Sequence, residues 1–152
     1  MRGNRPALRP WRRLKPLLSG VIVVSTMILQ GAAEEDTIPL YDSLGSFGRK
    51  ITTSHPTAQQ FFDQGLRLAY AFGREEAVRS FREAQRNDPN CAMCYWGEAW
   101  ALGPYRNSTM SEEQARKAFK AIQKALSLIP KASTIEKALI QAMAVRYRKA
   151  PD

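Results

Sequence analysis

From residue 57 onward, apolar residues recur at steps of three and four, the spacing that places them on one face of an α-helix. In residues 57–72 polar side chains fill the positions between them, and Gly73 ends the pattern. A second stripe begins after Arg74 and runs to Asp88-Pro89, where proline cannot continue a helix. Two helices with so short a link predict an antiparallel helical hairpin. The two stripes are Phe61, Phe62, Leu66, Leu68, Ala69 and Phe72, followed by Ala77, Val78, Phe81 and Ala84.

The same arrangement returns in an altered copy. Its first helix is predicted at residues 92–102, where Gly103-Pro104 ends it, and its second helix begins at Ser111 and runs toward Pro130. The loop between these two helices, residues 104–110, is longer than the link in the first hairpin. A further amphipathic helix is predicted over residues 132–149, in which Ile135, Leu139, Ala142, Met143 and Tyr147 recur.

These residues resemble the tetratricopeptide repeat (TPR), a helix–turn–helix unit of about 34 residues. Over residues 58–91 the spacing matches throughout: Phe61-x3-Gly65-x2-Leu68, then Ala77-x3-Phe81-x2-Ala84, then Pro89. Gln64 departs from the leucine of the pattern, and Phe61 replaces its tryptophan. The resemblance implies an all-α fold in which antiparallel helical hairpins stack as a TPR-like array of about two and a half repeats. It places the small residues Gly65 and Ala77 where the two helices cross closely.

A more specific resemblance is to exported bacterial TPR proteins of greater length. It rests on residues 62–66, 70–72, 91–97 and 102–104, and it covers residues 40–150. It implies that this sequence is the N-terminal part of a longer member or a truncated relative. The family works in protein–protein interaction and assembly, so the resemblance implies a protein or peptide partner. It supplies no cofactor and no catalytic residues that could be carried over to this chain.

The N-terminal region has the three-part order of a secretory signal. Residues 1–15 are basic, the 18 residues 16–33 are uncharged, and Gly31-Ala32-Ala33 provides small residues before a cleavage site predicted after Ala33. An uncleaved membrane anchor is the alternative, because 18 helical residues span roughly 27 Å, just short of a bilayer core. Either reading places the rest of the chain outside the cytoplasm, so it is expected to be periplasmic, secreted or anchored. The predicted organisation is residues 1–33 as signal segment, 34–56 as an extended lead-in, and 57–150 as the repeat domain.

The charge of the chain is concentrated in that signal segment. The whole sequence has 23 basic and 14 acidic residues and a formal net charge of +9. Residues 1–33 contain six of the basic residues and no acidic one, so the remainder carries 17 basic against 14 acidic residues. A nucleic-acid-binding protein would carry its basic excess in the folded part, so nucleic acid is not expected as a partner.

The two cysteines form a C-x-x-C pair, Cys91 and Cys94, at a predicted helix start. A helix N-terminus lowers the pKa of a thiol and favours redox exchange. The redox motif normally accompanies a βαβ pattern, which is missing here, and the lone His55 cannot complete a metal site with two cysteines. Packing or a local disulfide, thiol exchange, and a metal shared with a further segment remain as alternatives. An exported chain favours the disulfide.

The TPR resemblance also predicts a groove, because the first helix of each repeat lines the concave face in that family. Two interpretations remain: a partner docks in the groove, or the groove is covered, either by the lead-in through Tyr41, Leu44 or Phe47 or by further repeats. The sequence therefore predicts a non-enzymatic interaction or scaffold module, with an exported redox-active or cofactor-linked protein using Cys91 and Cys94 as the alternative. The predicted groove consists of Phe62, Leu66, Tyr70, Met93, Trp96 and Trp100.

Overall fold

The structure is a computed structural model of the chain, which divides into two units after residue 33. It describes residues 37–147, all within the second unit. The predicted signal segment and residues 148–150 of the predicted repeat domain lie outside the described residues. The helices are α1 Pro56–Tyr70, α2 Arg74–Asn87, α3 Ala92–Leu102, α4 Glu112–Ser127 and α5 Thr134–Arg146, with a 3₁₀ turn at Ile129–Lys131.

The described residues form an all-α helical array, which confirms the predicted fold class. Helices that follow one another in sequence pack together, α1 on α2, α2 on α3 and α3 on α4, while α5 packs on both α3 and α4. Across residues 37–147 the only β-type pairing is an isolated one between Tyr105 and Ser108, in the long loop before α4. Within the same range, no helix has the length and apolar character needed to cross a membrane.

Reciprocal caps begin α4 and α5. The hydroxyl of Ser111 accepts the N–H of Gln114, and the Gln114 side chain accepts the N–H of Ser111 at 2.9 Å. Ser133 and Glu136 make the same pair of bonds at the start of α5. Each box satisfies two N–H groups that a helix start would otherwise leave without a partner, which explains why both helices begin where they do.

The turn between α1 and α2 places a phenylalanine, not a glycine, in the left-handed conformation. Phe72 has a φ of 65°, whereas Gly73 has a φ of −77°. The N–H of Gly73 donates to Leu68 O at 2.9 Å and that of Phe72 to Ala69 O at 3.2 Å, which is the Schellman pattern of a helix end. Glycine is usual at the left-handed position, since a Cβ there crowds the next carbonyl. The sequence predicted the helix end at Gly73; α1 ends at Tyr70, and Gly73 instead precedes α2.

The ring of Phe81 lies at the centre of the array between two glycines. A Cβ on Gly65 of α1 would lie 2.7 Å from this ring, and a Cβ on Gly97 of α3 would lie 2.4 Å from it. Phe81 is fully buried, and the ring of Phe62 packs against it at 5.6 Å between centroids. The three helices can therefore approach one another only because both glycines lack a side chain.

The described part of the lead-in, residues 37–55, is non-helical and packs along α1. Ile38 and Ile51 are buried in the same hydrophobic cluster as the core residues of the helices. Leu44 is half-buried, whereas Tyr41 and Phe47 are exposed. The isoleucines thus make the buried apolar contacts of the lead-in, and of the three residues expected from the sequence Leu44 packs against the core and Phe47 contacts Tyr70.

Candidate functional site

Half of the predicted groove lies inside the core. Phe62, Leu66 and Met93 are buried and belong to one cluster with Ile38 and Ile51 of the lead-in. Ile51 of the lead-in and Met93 line one depression. A partner could not reach these three side chains while they are buried in this way.

The other three predicted residues, Tyr70, Trp96 and Trp100, form a row of rings with Phe47. The centroid distances are 5.6 Å for Phe47–Tyr70, 5.4 Å for Tyr70–Trp100 and 5.7 Å for Trp96–Trp100, in edge-on or stacked arrangements that aromatic rings favour. At the inner end, α5 covers the row, and Trp96 Nε1 donates to Leu139 O at 3.1 Å. At the outer end, Tyr70 is 64% and Phe47 is 57% exposed.

A second pair of rings lies at the same end of α1. Phe72, which is 76% exposed, contacts Tyr105 with 6.0 Å between centroids. The hydroxyl of Tyr105 donates to Ala69 O at 3.2 Å, next to Tyr70, and the Arg74 guanidinium lies 4.3 Å from the centre of the Tyr105 ring. Burial raises the pKa of Tyr105 despite the opposing charge of Arg74, so its hydroxyl remains a donor. We call the set Phe47, Tyr70, Phe72, Trp100 and Tyr105 the aromatic cluster.

A depression of about 620 Å³ opens beside Tyr70. Leu44, Phe47 and Ala71 supply its apolar wall, and Arg67 supplies one cationic group. Arg67 is fixed in place because its Nε donates to the carbonyl of Phe47. The depression is suited to an apolar side chain that approaches together with an acceptor or acidic group.

Cys91 and Cys94 are joined in a disulfide at the first turn of α3. Both side chains are 0% exposed, and the Sγ of Cys91 accepts the N–H of Cys94 at 3.1 Å. Thiol–disulfide exchange requires an attacking thiolate to reach one of the sulfurs. With both sulfurs enclosed, the start of α3 would have to open before an external thiol could react.

Hydrogen bonds of the fold hold the buried acidic side chains. Glu98 accepts Arg82 Nε at 2.8 Å and Gln85 Nε2 at 2.7 Å, and Asp88 accepts the hydroxyl of Thr53 at 2.6 Å. Among residues 37–147, no group of three or more histidine, cysteine, aspartate or glutamate side chains is arranged to hold a metal ion. The described part of the chain also contains no buried side-chain nitrogen or oxygen without a partner.

Sequence reasoning missed that Phe72 and Tyr105 join Tyr70 at the surface. Tyr105 lies in the loop before α4, where no periodicity assigns a face, and Phe72 was counted in the apolar stripe of the first helix. The one available signal was an aromatic residue directly before the glycine at a chain reversal. Comparison of the chain with protein-family models, with curated proteins and with solved structures found no match.

Proposed function

We propose that this chain is a non-enzymatic protein-interaction module that acts outside the cytoplasm, and that a protein or peptide partner docks on the aromatic cluster. The all-α array supports a scaffold role, and the TPR-like spacing of residues 58–91 supports an interaction role. The secretory order of residues 1–33 supports the compartment.

The conformation of Phe72 is the observation that carries this proposal. A left-handed φ costs a residue with a Cβ about 1–2 kcal/mol, and a 76% exposed ring leaves apolar surface in water. Glycine at this position would remove the backbone cost. A phenylalanine that costs backbone strain and leaves most of its ring in water, within a group of surface rings, is explained by contact with a partner.

The composition of the cluster indicates the chemistry of the partner. Tyrosine, tryptophan and arginine supply most of the binding energy at protein interfaces, because they bury large areas in few conformations. Here the Arg67 guanidinium lines the depression with Tyr70, and the Arg74 guanidinium lies over the Tyr105 ring. A segment that presents an apolar side chain beside an acidic one would match both features.

Site-specific photo-crosslinking in producing cells tests the proposal. A photoreactive residue at Ala71, which lines the depression, should give a discrete adduct with one partner. In that background Phe72→Gly should reduce the adduct at least several-fold, while raising the free energy of unfolding by about 1 kcal/mol. The matched control is Ile135→Ser, which removes a similarly exposed apolar side chain from α5 and should leave the adduct unchanged.

An adduct that survives Phe72→Gly but is lost in Ile135→Ser would move the interaction surface to α5 and contradict the proposal. A stability gain without any loss of the adduct would show that Phe72 contributes nothing to binding.

The redox alternative has weaker support from the geometry. It requires a thiol or disulfide that a second molecule can reach, and both sulfurs of the Cys91–Cys94 pair are enclosed. Reactive cysteines lie in partly exposed, electropositive surroundings, whereas this pair lies in the hydrophobic cluster.

A further inference from the structure

Residues 47–51 of the lead-in lie antiparallel to α1, and the side chains of Gln59, Asp63 and Arg67 bind their backbone. The peptide groups of residues 47–51 meet side chains from residue 67 back to residue 59, so the two segments run in opposite directions. The bonds are Arg67 Nε to Phe47 O, Arg49 N to Asp63 Oδ1 at 2.9 Å, Ile51 N to Gln59 Oε1 at 3.0 Å, and Gln59 Nε2 to Arg49 O at 2.9 Å.

This register follows from the repeats of the two segments. Residues four apart on a helix rise about 6 Å along its axis, and alternate residues of an extended chain are spaced about 6.6 Å apart. Gln59, Asp63 and Arg67 are four apart, so each meets every second residue of the lead-in. Because the bonds go to peptide groups, this row recognises an extended backbone.

Further hydrogen bonds hold the lead-in on either side of this row. Near its start, Gln64 accepts the N–H of Tyr41 at 2.8 Å and donates to Pro39 O at 2.9 Å, next to the buried Ile38. At its end, Thr52 donates from its N–H and hydroxyl to Glu136 of α5, at 2.7 and 2.6 Å. Hydrogen bonds and the buried isoleucines therefore hold two stretches of the lead-in, residues 38–41 and 47–53, which a turn over residues 42–44 connects.

Only a short, exposed link joins this segment to α1. Ser54 and His55 are exposed, and α1 begins directly afterwards at Pro56. His55 is already extended, with φ −105° and ψ 107°, as the residue before a proline must be. An open depression of about 430 Å³ lies along residues 48–56, Gln59 and Asp63, on the exposed side of the link.

We propose that the lead-in is exchangeable, and that residues 37–53 of a second copy of this chain can occupy the groove in its place. The second copy carries the one segment that the structure shows to fit. Straightening the reversal before Pro56 would carry the lead-in away from its own α1 and leave its other contacts available to the partner copy. Reciprocal exchange closes into a two-fold dimer in which every hydrogen bond of the groove is regained. The exchanged segment carries Phe47, so in the dimer each aromatic cluster would be completed by the other copy.

Exchange of the lead-in between two chains competes with binding of the lead-in to the groove of its own chain. A short tether gives the chain's own lead-in an effective concentration on the order of millimolar, so the dimer should appear only as the protein concentration approaches that range. Deletion of Ser54 and His55 shortens the tether and should shift the dimer to lower concentration.

Engineered cysteines in the full chain give the decisive test. A Cβ on Gly48 would lie 2.8 Å from the Asp63 carboxyl group, so Gly48→Cys and Asp63→Cys can form a disulfide. A chain with Gly48→Cys, mixed at high concentration with a chain carrying Asp63→Cys, should yield a covalent dimer. Mixing with Gln123→Cys, an exposed position on α4, is the control and should yield none.

The double variant Gly48→Cys/Asp63→Cys establishes whether the pair can close within one chain. If it closes while the mixed chains stay monomeric at high concentration, exchange does not occur and the proposal is overturned. Failure of the double variant to close would equally overturn it, because the lead-in would not lie on α1 as described. These outcomes decide the question whether or not the chain with the shortened link folds.

Discussion

At the scale of single residues, the packing of the array depends on the ring of Phe81. Gly65 and Gly97 lie against it on two different helices, α1 and α3. A ring pressed from one side could move only toward the other glycine, where space is equally short. The spacing of the sequence predicted the close approach at Gly65. It could not predict Gly97, because contact between α3 and the ring depends on how the hairpins stack.

We expect Gly97→Ala to destabilise the chain although alanine favours helix more than glycine does. The propensity gain is about 1 kcal/mol, while overpacking a core costs typically 1–3 kcal/mol. Ring atoms only 2.4 Å from the new Cβ place the overpacking cost in the upper part of that range, so the net loss should be about 1–2 kcal/mol in urea unfolding. Phe81→Leu in the same chain should offset part of that loss, because it removes the obstructing ring.

Gly73→Ala provides the matched control for this substitution. A Cβ there meets its nearest side chain, Leu68, at 3.5 Å, an ordinary contact, and the φ of Gly73 is one that alanine adopts. Its effect should stay within about 0.5 kcal/mol of zero. Equal losses for Gly97→Ala and Gly73→Ala would show that the ring is not confined as the structure indicates.

At the scale of elements, the helices were predictable and the path of the lead-in was not. The spacing of apolar residues predicts the helices, Gly73 and Pro89 mark the breaks between them, and Ser111 marks the start of α4. The lead-in is held chiefly by bonds from its peptide groups to Gln59, Asp63, Gln64 and Arg67. Peptide groups are the same in every residue, so the sequence of the lead-in could not predict these hydrogen bonds. Phe72 and Tyr105 of the aromatic cluster escaped prediction for a related reason, since they lie in connecting segments, whereas Tyr70 and Trp100 were predicted as groove residues.

Glu136 links the lead-in to α5 and should make that contact acid-sensitive. Burial would raise the pKa of this carboxyl group, but hydrogen bonds from Thr52 and Ser133 to the ionised form outweigh it and lower the pKa below its ordinary value of 4.5. The ionised group therefore stabilises the folded chain fully above about pH 4.5, and this contribution is lost as the pH falls through the lowered value.

Glu136→Gln should reduce the free energy of unfolding at pH 7 by about 1–3 kcal/mol, the range for a hydrogen bond to a charged group. The variant should also lose the part of the acid dependence that Glu136 contributes, as measured by urea unfolding between pH 7 and pH 3. Glu113→Gln is the control: the pKa of Glu113 is lowered by Lys117, but this pair is exposed. Salt should abolish the effect of Glu113→Gln and leave that of Glu136→Gln, and the reverse result would contradict the assignment.

At the scale of the whole molecule, the redox state of the disulfide depends on the compartment in which the chain resides. A C-x-x-C pair closed as Cys91–Cys94 persists in oxidising compartments and is reduced in a bacterial cytoplasm. The basic, apolar and small-residue order of residues 1–33 predicts export to such a compartment. The loop that this disulfide closes is very short. Loss of the disulfide should therefore lower the free energy of unfolding by only about 2 kcal/mol and leave the array folded.

The state of the two sulfurs in cells can therefore report where the chain resides. When the full chain is produced in a bacterial host and then denatured, we expect its two cysteines to react with an alkylating agent only after a reductant is added. A version that begins at Glu34, after the predicted cleavage site, should stay in the cytoplasm and be alkylated at both cysteines without reductant. A full chain with Cys91→Ala and Cys94→Ala controls for other sites of labelling. Protease added to cells stripped of their outer envelope locates each version independently.

Export would be contradicted by a full chain that is protected from protease and has two free thiols, because residues 1–33 would then have failed to carry the array to the oxidising side. A protected chain with a closed disulfide would leave the disulfide intact as a feature of the fold and remove only the compartment from the proposed function.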